Sequence, residues 1–158
     1  MREYTQRYLG MPNAVVLCVD HYDTELEGRL YHRYQREAEI ITDKVDILET
    51  MEELFNRLNF PFPGNNERHF IETEKTVESV SQERVMKDEE LLEKHGDLGT
   101  FIIRVQHRQN SSWQGRITWV EEDKTLSFRS VWEMMKLIDE AMEKSAGPEE
   151  EKTPGWDE

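Results

Sequence analysis

A single cysteine, Cys18, in a chain of 158 residues excludes an internal disulfide framework and any metal site of the CxxC type. Long apolar runs are missing as well. No stretch approaches the length needed to span a bilayer, and the first residues, "MREYTQRYLGMPN", lack the apolar core of a signal peptide. These absences predict a cytoplasmic protein with no membrane contact. The glycine-rich phosphate loops GxGxxG and GxxxxGK[ST] are absent, as are the nucleophile motif GxSxG and the zinc motif HExxH. No cofactor, metal or enzymatic activity is therefore expected.

Acid is plentiful but unevenly spread. The formal charge is -14, with a net -6 in residues 14–59, -5 in 60–99 and -4 in 147–158, whereas 100–146 is neutral. Such acidity disfavours a general nucleic-acid coat but leaves room for one local cationic face.

The neutral segment looks like a second copy of the first. Val19 and His21 align with Val105 and His107, and Gly28-Arg29 aligns with Gly115-Arg116 after one inserted loop residue. A constant offset then pairs Val45, Leu48, Met51 and Phe55 with Trp132, Met135, Ile138 and Met142. Each copy opens with period-2 alternation. In the second, Phe101, Ile103, Val105 and His107 fall on one face, and Ile102, Arg104, Gln106 and Arg108 on the other. "QNSS" then makes a turn, and further strands are predicted at 115–120 and 125–128. The pair Ser130/Glu133 has capping-box spacing, with Asp43/Asp46 as its counterpart, and a four-turn amphipathic helix follows each.

The predicted fold is α+β. Two tandem β-β-β-α units, 14–59 and 100–146, form one pseudo-symmetric antiparallel sheet in a single domain, with helices at about 43–58 and 130–144 on one face. The acidic connector 60–99 begins with the breaker "FPFPGNN" and contains a short acidic helix in "KDEELLEKHGDLG" ended by Gly96, while "RHFIETEKTVESVSQERVM" reads as either strand or loop. The tail 147–158 is expected to be a flexible acidic end.

Candidate chemistry is sparse. Cys18 and His21 fall on opposite faces of a strand, so they make a poor nucleophile pair. His21 and His107 share the inward face with aliphatic neighbours and read as satisfied strand-end histidines. Trp119, Trp132, Met134, Met135 and Met142 read as core. Trp113, in the turn "NSSWQG", is expected to be more exposed, serving either turn packing or partner contact. The sheet's outer face should carry Arg104, Gln106, Arg108, Arg116, Thr118 and Ser127 from one unit. From the other it should carry Cys18, Asp20, Tyr22, Arg29, Tyr31 and Arg33. Arginine beside tyrosine suits phosphate with stacked bases. The same pattern suits a solvated face whose arginines pair with glutamates, or a contact with a second copy.

The segments "WQGRITW" and "LSFRSVWEMMKLIDEAM" resemble the repeats of PUR-type and Whirly-type single-strand-binding proteins, which duplicate a curved antiparallel sheet backed by a helix. The resemblance implies single-stranded nucleic acid as a partner. It departs in having three clear strands per unit where those families have four, and in its acidity. "RVQHRQNSSWQG" is also similar to a recurring piece of small uncharacterised bacterial proteins, which implies no function. The expectation is a non-enzymatic interaction or adaptor module that binds a protein partner or itself. The alternative is single-stranded nucleic-acid binding through Arg29, Arg33, Arg104, Arg108, Arg116, Tyr22, Tyr31 and the Trp113 turn.

Overall fold

Three strands and a helix come first among the described residues. They are β1 (Val15–Tyr22), β2 (Leu26–His32), β3 (Gln35–Ile41) and α1 (Lys44–Leu58). After a short helix α2 (Asp88–Leu92) come β4 (Gly99–Gln109), β5 (Ser112–Trp119), β6 (Lys124–Phe128) and α3 (Val131–Ala146). The computed structural model describes residues 12–58, 83–109 and 112–146. The breaker after α1, the strand-or-loop segment up to residue 82 and the acidic tail lie outside the described residues; the last four residues of that segment, 83–86, form no strand.

The fold is α+β: among the described residues, six antiparallel strands in the order β3-β2-β1-β4-β5-β6, with three α-helices. At the centre, β1 pairs with β4 through Val15↔Ile103, Val16↔Ile102 and Leu17↔Phe101. The alternation of these strands sorts their side chains into two cores. One face carries Val15, Leu17, Val19, Phe101, Ile103 and Val105 to meet Ile47, Met51, Leu54 and Phe55 of α1 and Met134, Ile138 and Met142 of α3. The other face puts Ala14, Val16, Cys18 and Ile102 against Met86 and Leu91, so α2 and the residues before it cover the middle of the sheet from behind. Each large apolar side chain buried in this way contributes about 1.5–3 kcal/mol.

Both long helices start in the same way. The Asp43 carboxylate accepts the Asp46 amide at 2.9 Å, and the Ser130 hydroxyl accepts the Glu133 amide at 3.0 Å. The reciprocal bond reaches one residue further back than a capping box does. Asp46 accepts the Thr42 amide at 2.9 Å, and Glu133 accepts the Arg129 amide at 2.8 Å.

One irregularity in each half corrects the predicted alternation. Val19 pairs with Gly28 and His21 with Glu27, so β1 advances two residues while β2 advances one. The same happens between Val105↔Gly115 and His107↔Gln114. These are β-bulges, and the extra residue reverses which face every later side chain takes. A side chain at Gly28 would overlap the Cys18 carbonyl oxygen, and one at Gly115 the Arg104 carbonyl oxygen. The close backbone approach at each bulge requires glycine. His21 and His107 are consequently exposed rather than turned inward, and Tyr22, Arg108 and Trp113 are the residues that face the helices. Continued pairing beyond the bulge, up to Gln109↔Ser112, also starts β5 three residues before its predicted position.

Candidate functional site

Arg29 and Tyr31 of β2, with Arg33 in the turn that follows, lie on the face that α2 partly covers. All three are engaged within the molecule. The Arg29 guanidinium donates to both Asp20 carboxylate oxygens at 2.9 and 3.1 Å, to the Tyr31 hydroxyl at 2.9 Å and to the His95 carbonyl at 2.8 Å. Burial alone would raise the Asp20 carboxyl. The Arg29 guanidinium and the Asp97 amide outweigh it and hold that carboxyl below its ordinary value. The same hydrogen bond to Asp20 raises Arg29 above its own. The Lys94 ammonium sits 5.0 Å from the Tyr31 ring centre. Arg33 is buried. Its guanidinium donates to Asp88 at 2.8 Å, while its carbonyl accepts the Val85 and Met86 amides at 2.8 and 3.1 Å. Residues 83–98 are thus fastened across this half of the arginine face.

In the other half, half-buried Arg104 stands opposite exposed Arg116 in the β4–β5 register. Thr118 is buried and bonded hydroxyl to hydroxyl with Thr125 at 2.8 Å. Cys18 lies beneath this layer, where burial pushes its thiol up to about 12 and leaves it unreactive at neutral pH.

Two residues predicted on this face are on the opposite one because of the bulges. Tyr22 donates to Asp139 of α3 at 3.1 Å, and Asp139 also accepts the Lys44 ammonium at 2.8 and 3.0 Å, which ties β1 and the start of α1 to α3. Burial and that carboxylate push the Tyr22 phenol up to about 12. Arg108 is buried over the Phe55 ring at 5.6 Å and donates to Asn56 at 2.9 Å. Burial lowers its pKa from the usual guanidinium value. Trp113, expected to be more exposed, is 3% exposed and packs on Phe55 with ring centres 5.3 Å apart.

The reverse correction concerns Trp132. Placed in the core by its apolar character, it is 72% exposed on α3. The buried face of α3 runs through Met134, Met135, Ile138, Ala141 and Met142. Four and eight residues beyond Trp132 stand exposed Lys136 and Glu140, so the tryptophan belongs to the helix's polar strip. That spacing was the available signal. Beside this strip, strand β6 presents Leu126, which is 54% exposed. Trp119, half-buried on Phe101, lines a hollow of about 200 Å3 together with Ile117, Leu126, Leu137, Ala141, Lys124 and Lys144. A shallower hollow beside Trp132 shares Leu137 and Glu140 with it, so the two adjoin along α3, the first as a groove between β6 and α3.

Among the described residues no group of three or more His, Cys, Asp or Glu side chains is placed to hold a metal ion. No described helix is long and apolar enough to cross a membrane. Comparisons of the chain with protein-family models, with curated proteins and with solved structures returned no match.

Proposed function

We propose that this chain is a non-enzymatic protein-interaction module whose contact surface lies where β6 meets α3. The observation that carries the reading is that exposed Trp132 and exposed Leu126 line two adjoining hollows along α3. Large apolar side chains standing singly on a surface need no explanation, whereas a grouped set beside a groove marks a contact site. The surface differs from the sheet face and Trp113 turn suggested by the residues alone, because Trp113 itself is packed inside.

The same reading includes an internal duplication. If Val19 corresponds to Val105, then Val16 corresponds to Ile102, and these two pair directly, flanked by Val15↔Ile103 and Leu17↔Phe101. That pairing, the two bulges at equivalent glycines and the two equivalent helix caps support a twofold relation between β1-β2-β3-α1 and β4-β5-β6-α3. Single-stranded nucleic acid draws less support. Arg29 and Arg33 are held in ion pairs, and Arg108 and Tyr22 lie on the helix side.

Photo-crosslinking tests the reading. A benzophenone amino acid at position 132 should capture discrete protein partners, or a second copy, in extracts of the source cell, and Leu126→Glu should abolish the adducts. The same probe at exposed Gln114 should capture none of them. Equal adducts at both positions would refute the assignment.

A further inference from the structure

The two edges of the sheet differ in how they discourage strand addition. Edge strand β3 carries Arg36, Glu37 and Glu39, and charges of this kind blunt an edge. Edge strand β6 has one charge, Lys124 at its first position, followed by Thr125, Leu126 and Ser127. It also borders a groove whose other wall is a helix. Five residues of β6 extend about 17 Å, and the run of α3 from Trp132 to Lys144 about 18 Å, so the groove accommodates five or six residues of extended chain.

Among the side chains that line the groove, basic residues outnumber acidic ones. Lys124 and Lys144 flank one end, and Arg129 and Lys136 the other. Two acids stand among them. Of these, Glu133 is occupied by the Arg129 amide at 2.8 Å and lies 3.7 Å from its guanidinium. No ion pair holds Lys124 or Lys144 among the described residues. A chain of formal charge -14 thus lines an apolar-floored groove with four basic and two acidic side chains, beside the less charged of the two edges among the described residues.

We propose that β6 receives an extended acidic segment of a partner protein as a seventh strand. A large apolar side chain of that segment would enter the hollow between Leu126 and Leu137, and its carboxylates would meet Lys124 and Lys144. This deepens the assignment of the β6–α3 surface and rests on it. Main-chain hydrogen bonds to an edge strand give affinity, and pockets for alternate side chains give selectivity. A second copy offers a poorer match, because its own β6 would bring Lys124 and Arg129 against the same basic residues.

The test is an amide NMR titration of the full chain with three synthetic octapeptides. The first alternates valine with polar residues around one central tryptophan and has glutamates at both ends. The second has lysines in place of the glutamates. The third is the acidic peptide N-methylated at every second amide on its strand-pairing edge. The acidic peptide should shift the amides of Lys124–Phe128 and the Trp132 indole. The lysine and N-methylated peptides should each bind at least tenfold more weakly. Leu126→Glu should lose binding, and the double change Lys124→Glu/Lys144→Glu should reverse the charge preference. Both changes replace side chains at the rim of the groove, and retained dispersion in the spectrum would verify folding. Equal binding of the acidic and lysine peptides, or shifts confined to the α2-covered face, would overturn the proposal. So would β6 shifts that depend on protein concentration without peptide, since they would give the edge to a second copy. Crosslinking at position 132 with unmoved β6 amides would remove strand addition and leave the interaction surface standing.

Discussion

His32 should make the protein lose stability between pH 7 and pH 5. Its ring is 2% exposed at the end of β2, and its Nδ1 accepts the Tyr34 amide at 3.1 Å, so the native state holds it neutral. Burial pushes its pKa down to about 4; Arg57 adds to the shift and Glu39 opposes it. The unfolded chain binds the proton at an ordinary value of about 6.5. Below 6.5 the unfolded state therefore takes up a proton that the folded state refuses until about pH 4, and stability falls across that window. The full difference corresponds to about 3 kcal/mol, of which about 2 kcal/mol is lost between pH 7 and 5. Urea denaturation of the wild type and of His32→Asn at both values isolates this contribution, since asparagine keeps an acceptor for the Tyr34 amide but does not titrate. The wild type should lose about 2 kcal/mol more than the variant. A parallel decline in the two proteins, or an imidazole NMR signal that titrates near 6.5 in the folded state, would refute the reasoning.

Three further outcomes follow from the geometry. Gly115→Ala places a methyl against the Arg104 carbonyl at the bulge, and should cost about 3 kcal/mol or more in denaturant unfolding, the upper end for an overpacked site. Trp113→Ala should cost about 3–5 kcal/mol, as for a buried aromatic, while Trp132→Ala should stay within about 0.5 kcal/mol of wild type. Equal effects at the two tryptophans would contradict their placement. Fluorescence anisotropy with a labelled single-stranded oligonucleotide should show no binding at near-physiological salt. Binding that weakens steeply with salt and is lost in Arg104→Ala/Arg116→Ala would instead move the function to nucleic acid.

The residues themselves carried everything that depends on near neighbours. Alternation over Phe101–Val105 marks a strand, 3-and-4 spacing over Met134–Met142 marks a helix, and Asp43 and Ser130 mark where the helices begin. These signals act over a few residues, so they can be read without knowing what the chain packs against. The bulges could not be read that way. Gly28 and Gly115 are legible as glycines, but their consequence appears only when the carbonyls of Cys18 and Arg104 close on them from another strand. From that point the period-2 reading runs one residue out of phase, which is why Tyr22, Arg108, His21 and His107 changed sides together, while Trp113 moved inside because β5 begins before the predicted turn ends. Trp132 differs for another reason. Its hydrophobicity points inward, whereas the charged residues that share its strip of α3 face outward. The α+β class, the strands and both long helices were set by local pattern. Which arginines are locked, which tryptophan is bare and which strands form the edges of the described sheet were decided by long-range strand pairing and by the docking of residues 83–98.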